Sequence, residues 1–357
     1  MQLGHDGRRS ACTAGGGGPD VFACHRGPSD HDRPADHTCE VPMNPPAVVT
    51  GWGAALPSTV VTNHDLEQRL DTSDEWIVER TGIRERRVGG TVAGLATEAA
   101  AAALERAGTR PADVDMLLLA TTTPDETVPH TSSVVHQRLG LTGGAMDVNG
   151  ACAGFVYALV TAFGSLAVGA RRVLVVGADC LSRITDWEDR STAVLFADGA
   201  AAVLLEATGG ADPEHGGPGL VGYDLGADGT AHDLLTCPLG GTMSMDGREV
   251  FRRAVRATVD SAAAALARAK VPVEDVALFV PHQANMRIIE AAGSRLGIPA
   301  ERTAVVVDRT GNTSAASIPL ALCDALDAGR VADRDLVLLS GFGAGMSWAS
   351  AVMRWSA

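Results

Sequence analysis

The sequence predicts an α/β fold with helices covering the sheets, and three observations point to it. Short β-branched runs alternate with alanine-rich stretches, the runs have the length of strands buried on both faces, and one longer segment is apolar almost all round. The strand-like runs are 114–119, 172–177, 276–280, 303–307 and 336–339. The segment 153–168, AGFVYALVTAFGSLAV, has no polar face to turn to water, so it is expected between two layers. A Gly/Pro-rich stretch over 209–219 separates two parts of similar size, 46–215 and 216–357. No repeat with a period of about 20 to 50 residues is present, which excludes a solenoid.

Residues 1–45 are rich in Gly, Pro, Asp and His without apolar periodicity, and they are expected to form a disordered tail. The tail holds His5, Cys12, Cys24, His25, His31, His37 and Cys39, but not in the short paired spacing of zinc modules, so no metal is expected. Met43 would make a sensible start for the folded part. The remaining cysteines bring the total to seven, an odd and dispersed set that fits reduced thiols and a cytoplasmic protein. With 29 basic against 43 acidic residues, the formal net charge of −14 argues against nucleic acid or an anionic membrane as partner.

Three polar residues stand where a strand is expected to end and a helix to begin. Cys152 lies in Asp147-Val-Asn-Gly-Ala-Cys-Ala-Gly, directly before the apolar helix, where free amides and the helix dipole favour a thiolate. His282 follows the run 276–280 in Phe279-Val-Pro-His-Gln-Ala-Asn-Met-Arg, and Asn312 follows 303–307 in Asp308-Arg-Thr-Gly-Asn-Thr-Ser. Gly311 is there to supply an unusual backbone angle. A lone His or Asn at a turn is more often structural, and Cys152 alone reads equally well as a buried, inert core cysteine. Together, a thiol, an imidazole and an amide at equivalent positions of an α/β sheet suggest one site outside the strand ends.

Further segments in order along the chain are Thr72-Ser-Asp-Glu-Trp-Ile, Arg80-Thr-Gly-Ile, Asp189-Arg-Ser-Thr, Leu195-Phe-Ala-Asp-Gly-Ala, Met245-Asp-Gly-Arg-Glu-Val-Phe and Gly341-Phe-Gly-Ala-Gly-Met-Ser-Trp. With the Cys152, His282 and Asn312 motifs they make the chain, from about Val48 on, resemble the β-ketoacyl-acyl-carrier-protein synthase III family of the thiolase-like superfamily. The resemblance implies a five-layered αβαβα sandwich of two similar halves, a homodimer, and decarboxylative condensation of an acyl-coenzyme A with malonyl-acyl carrier protein. It makes Cys152 the acylated nucleophile, the amides of Cys152 and Ala344 the oxyanion hole, and His282 and Asn312 the donors to the malonyl thioester. Many relatives carry Gly at the Ala344 position.

By the same resemblance Trp76, Arg80 and Arg190 bind coenzyme A, with the adenine between Trp76 and Arg190, and Val128 reaches toward a partner's acyl pocket. Carrier-protein contacts are expected from Gln283, Ala284, Asn285, Met286 and Arg287, and from a basic stripe of Arg248, Arg252, Arg253 and Arg256 on one helix face. Coenzyme A enters as substrate, and no cofactor is expected. The late loop 341–345 has no cysteine, against a degradative thiolase, and His282-Gln-Ala-Asn argues against a hydroxymethylglutaryl-coenzyme-A-synthase-like enzyme using Glu126 as base. A priming ketosynthase of a polyketide pathway shares the chemistry and stays open, as does, in another class, a non-catalytic subunit that only positions a carrier protein.

Overall fold

All but one of the apolar runs expected to be strands are strands in the computed structural model of the protein, which describes residues 46–209 and 217–356. The tail expected over 1–45 lies outside the described residues, and with it the reading of its His and Cys. In chain order the elements are β1 (Ala47–Ala55), β2 (Thr59–Thr62), α1 (Asn63–Glu67), α2 (Asp74–Thr81), β3 (Glu85–Val88), α3 (Val92–Ala107), β4 (Met116–Ala120), α4 (Thr131–Leu139), β5 (Gly144–Val148), α5 (Gly154–Ala167), β6 (Arg172–Cys180), α6 (Arg190–Ala193) and β7 (Asp198–Ala207). Then come β8 (Gly219–Ala227), β9 (Leu235–Thr236), β10 (Ser244–Met245), α7 (Gly247–Ala269), β11 (Val276–Pro281), α8 (Met286–Leu296), α9 (Val307–Thr310), α10 (Ser317–Asp327), β12 (Leu336–Gly343) and β13 (Ser347–Arg354).

One sheet has the order β1-β7-β6-β4-β5 and the other β11-β12-β13-β8. In each, parallel neighbours (β5, β4 and β6; β11 and β12) are flanked by antiparallel ones. Successive side chains of a strand point to opposite faces, and both faces here are apolar. Leu118, Val175 and Val203 of the first sheet pack with Leu278, Leu339 and Ala351 of the second around Phe155, Leu159 and Phe163 of α5 and Ile318 and Leu322 of α10. The alternate residues Leu117, Val176 and Leu204 meet α3 at Ala96 and Leu104, while Phe279, Leu338 and Val352 meet α7 and α8. The result is the five-layered αβαβα sandwich, with the all-round apolar helix in the middle layer.

The run 303–307 is the exception and corrects the expectation of a strand. It makes a single bridge, Thr303 with Phe279, and its last residues turn into the short helix α9. The amides of Val306 and Val307 go to the side chain of Gln283, at 2.9 and 3.2 Å, instead of to a neighbouring strand. Asn312 therefore follows a helix rather than a strand, after Gly311 with φ 67°. No helix among the described residues is long and apolar enough to cross a membrane.

Candidate active site

Cys152 sits in a 3-10 turn, Ala151–Ala153, between β5 and α5, and Ala151 before it has φ 49°. A non-glycine residue there carries backbone strain of about 1–3 kcal/mol that the surroundings must hold. The same device recurs ahead of α10, where the turn Ser314–Ala316 begins with Ser314 at φ 50°. The two turns face each other across the middle layer and bring a thiol and an amide to one place. Asn312 is locked from three sides: its N–H donates to Leu195 O at 2.9 Å, its O accepts from Ala197 N at 2.9 Å, and its Oδ1 accepts from Ser314 N at 2.9 Å. With Oδ1 engaged, the Nδ2 amine is the end left to act as a donor.

His282 follows β11 directly and donates its backbone N–H to Ser340 O at 2.8 Å. Its Nδ1 lies 2.5 Å from Ser317 Oγ, and that oxygen also accepts from Gln283 N at 3.3 Å. With one acceptor position of Ser317 used, its O–H is placed to donate to Nδ1, which leaves the proton of the neutral ring on Nε2. Cys152, His282, Asn312 and Ala344 line one cavity of about 730 Å³, with Phe196 and Phe342 among its apolar walls. The three residues singled out from the sequence thus converge.

Burial lowers the His282 pKa to about 3, so the ring is neutral at physiological pH. A neutral ring can donate a hydrogen bond but carries no charge. Burial also pushes the Cys152 thiol up to about 12; the Ser314 side chain works in the opposite direction, and the charge of Asp179 adds to the rise. Burial thus works against the thiolate that the turn amides and helix dipole favour. A thiol raised in this way would lose its proton as it reacts rather than beforehand. The two half-reactions should therefore differ in pH dependence. Cys152 acylation is expected to rise steadily with pH through neutrality, and decarboxylation to show no step near 6.5; single-turnover rates across pH 5.5–8.5 check both. The linkage sign is unambiguous: an unfolded chain takes up a proton on His282 as pH falls through about 6.5, the folded one not until about 3. The stability present above 6.5 is lost across that window.

Gly343 matters for space and not for its backbone angle, since its φ of −152° suits any residue. A Cβ there would lie 2.6 Å from the Cys152 nitrogen and 2.8 Å from Ala151 Cβ. Gly343→Ala is expected to slow acyl transfer by about tenfold or more while the protein stays folded, because the Cys152 amide is displaced from the carbonyl it should meet. Rapid-quench mass measurement against wild type checks this.

Trp76, partly buried, and the exposed Arg80 and Arg190 form one cluster outside the residues lining the cavity. The Arg190 guanidinium lies 4.8 Å from the Trp76 ring centre and that of Arg80 5.9 Å. A flat base between Trp76 and Arg190 needs two contact gaps of about 3.5 Å each. The expected sandwich is thus closed, with Arg190 also donating to Asp71 O at 2.6 Å. Arg190 must swing off the indole to admit an adenine. Asn285 joins this cluster to the cavity: its Nδ2 donates to Arg80 O at 3.0 Å and its Oδ1 caps α8 at Arg287 N.

Gln283 corrects the expectation of a carrier-protein contact, for it is fully buried. Its Nε2 donates to Pro281 O and Ala304 O at 2.7 and 3.1 Å while its Oε1 takes the Val306 and Val307 amides. All four side-chain positions are used. Gln283 ties the His282 loop to the segment leading to Asn312. Ala284, Asn285 and Met286 are partly exposed and Arg287 exposed. Arg252 and Arg253 both pair with Glu249, Arg253 also with Asp228, and Arg256 with Asp260. The stripe is therefore part-neutralised, and Arg248 and Arg287 make no ion pair among the described residues. Sequence reasoning missed Ser317, Ser314 and Asp179; only Asp179, a carboxylate ending an apolar run, left a signal in the sequence.

Two family models match the chain, "3-Oxoacyl-[acyl-carrier-protein (ACP)] synthase III" over residues 146–229 and its "C terminal" counterpart over 266–355. The β-ketoacyl-[acyl-carrier-protein] synthase III of Sinorhizobium medicae is 48% identical over 321 residues, 87% of this chain and 99% of that protein. The protein of the same name from Erythrobacter litoralis is 49% identical over the same shares. Among solved structures, 3-oxoacyl-[acyl-carrier-protein] synthase III of Aquifex aeolicus superimposes with TM-score 0.83 at 42% identity, covering 87% of this chain and 100% of that one. The priming β-ketosynthase of the R1128 polyketide pathway superimposes at 0.81 with 35% identity, covering 88% and 97%.

Proposed function

Because the chain belongs to the 3-oxoacyl-[acyl-carrier-protein] synthase III family, an acyltransferase family of fatty-acid synthesis, we propose that it takes an acyl group from acyl-coenzyme A onto Cys152 and condenses it with malonyl-acyl carrier protein. The observation that carries this reading is the convergence of a thiol, a neutral imidazole and an oriented amide on one cavity. The acyl carbonyl would meet the amides of Cys152 and Ala344, each in the first turn of a 3-10 segment where amides lack an internal partner. His282 Nε2–H and Asn312 Nδ2–H would meet the malonyl thioester oxygen, where charge develops as carbon dioxide leaves and an enolate forms. The enolate carbon then attacks the Cys152 thioester, and the thiol is regenerated. The reaction draws on side chains and amides alone.

Priming of a polyketide pathway is the less supported reading, since the solved priming synthase is 35% identical against 48–49% for the fatty-acid relatives. A homodimer is supported by β5, an edge strand of its sheet, and by Val128, a large apolar side chain 82% exposed. Free thiols at Cys152, Cys180, Cys237 and Cys323 suit the cytoplasm. Intact-protein mass spectrometry after incubation with a panel of acyl-coenzyme A thioesters tests the function: one acyl adduct on Cys152 is expected, and its absence with every thioester would overturn the proposal. In the same assay Arg190→Ala should raise the apparent KM for acyl-coenzyme A about tenfold and leave that for malonyl-acyl carrier protein nearly unchanged; charge reversal at Arg287 should do the opposite, most at low salt.

A further inference from the structure

The two turns of the active site are built alike and differ in one respect. In the second, a Cβ on Gly177 of β6 would come 2.3 Å from Ala315 O; in the first, a Cβ on Gly341 of β12 would come 3.2 Å from Cys152 O. Gly177 and Gly341 thus hold matching places, and so do the residues two further along each strand, Asp179 and Gly343. Gly343 lies against the Cys152 amide. Asp179 lies against the Ala315 amide and accepts its N–H on Oδ2 at 3.0 Å. One turn therefore leaves its amide to the cavity, and the other has its amide filled by a carboxylate.

Asp179 is wholly buried, and a buried carboxylate persists only where donors compensate it. Its Oδ1 accepts from Thr121 Oγ at 3.0 Å, from Thr122 N and Oγ at 2.8 and 3.1 Å, and from Thr123 N and Oγ at 3.1 and 2.7 Å. Thr122 and Thr123 line the same cavity as Cys152. Ala315 follows Ser314, whose amide holds Asn312 Oδ1. We infer that Asp179 is a positioning residue for condensation: by binding the Ala315 amide and the 121–123 loop at once, it holds the strained Ser314 turn and so aims the Asn312 amine. The inference rests on the reading above, in which Cys152 serves acyl transfer and Asn312 serves decarboxylation.

Asp179→Asn replaces one acceptor oxygen with an amine that cannot accept, so either Ala315 or the threonine loop loses its partner. Malonyl-thioester decarboxylation is expected to fall about tenfold or more, while Cys152 acylation by acyl-coenzyme A, read by mass, stays within about threefold of wild type. A merely structural role would lower both half-reactions together, and that result overturns the inference. If Asp179→Asn is not recovered folded, Thr121→Val removes one donor isosterically; a decarboxylation-to-acylation ratio about threefold below wild type is then expected, and an unchanged ratio overturns the inference. The wild-type protein in the same assays tests the underlying reading, so a failure of that reading shows in the wild type and a failure of this inference only in the variants.

Discussion

Cys152→Ser is expected to abolish acyl transfer, by about a thousandfold or more, with no acyl adduct found by intact mass after incubation with acyl-coenzyme A. The cavity already holds the thiol up to about 12 by burial, and a hydroxyl at the same point ionises far less readily. Neighbouring groups do not make up the difference. His282 is neutral with its Nδ1 on Ser317, and Ser314 offers only a hydroxyl. Malonyl-acyl carrier protein should still lose carbon dioxide slowly in this variant, because His282, Asn312 and their supports are untouched. Efficient formation of β-ketoacyl product by Cys152→Ser would remove Cys152 from the assigned role.

His282→Ala and Asn312→Ala are expected to give the complementary result. Cys152 should still gain its acyl group, while release of carbon dioxide and condensation fall by about a hundredfold or more, the scale of losing one donor to a developing oxyanion. Asn312→Asp should be as damaging as Asn312→Ala, because a carboxylate in place of the Nδ2 donor would face the enolate with like charge. Labelled malonyl thioester, followed as carbon dioxide and as product, separates the steps. Condensation at wild-type rate in either alanine variant would show that the donors lie elsewhere.

Much of this site was legible in the sequence, and the reasons differ by residue. Cys152 and His282 could be found because each lies between a strand and a helix, a pattern that survives without coordinates, whereas Asn312 was reached through a run that is not a strand and follows the short helix α9. The apolar segment 153–168 could be assigned to the middle layer because a helix with no polar face has nowhere else to go, and α5 is buried there. The run 303–307 misled because branched residues mark burial rather than pairing, and its amides were taken by a side chain, Gln283, from a different loop. Gln283 was misassigned for the same reason. A glutamine beside a candidate site histidine reads as a contact until its four hydrogen bonds are seen to point inward.

The periodicity determined by itself the layered α/β fold, the strand-end positions marked three candidate residues, and the order of the motifs marked the family, since these depend on local pattern and on residue type. The tertiary structure alone decided how the groups are tuned. Whether a thiol is ionised, whether an imidazole is charged and which end of an amide faces the cavity depend on burial and on partners far along the chain: Ser317 for His282, Ser314 for Asn312, Asp179 for Ala315. Such partners meet only when two sheets close on one middle layer, and no spacing within a single segment records that meeting.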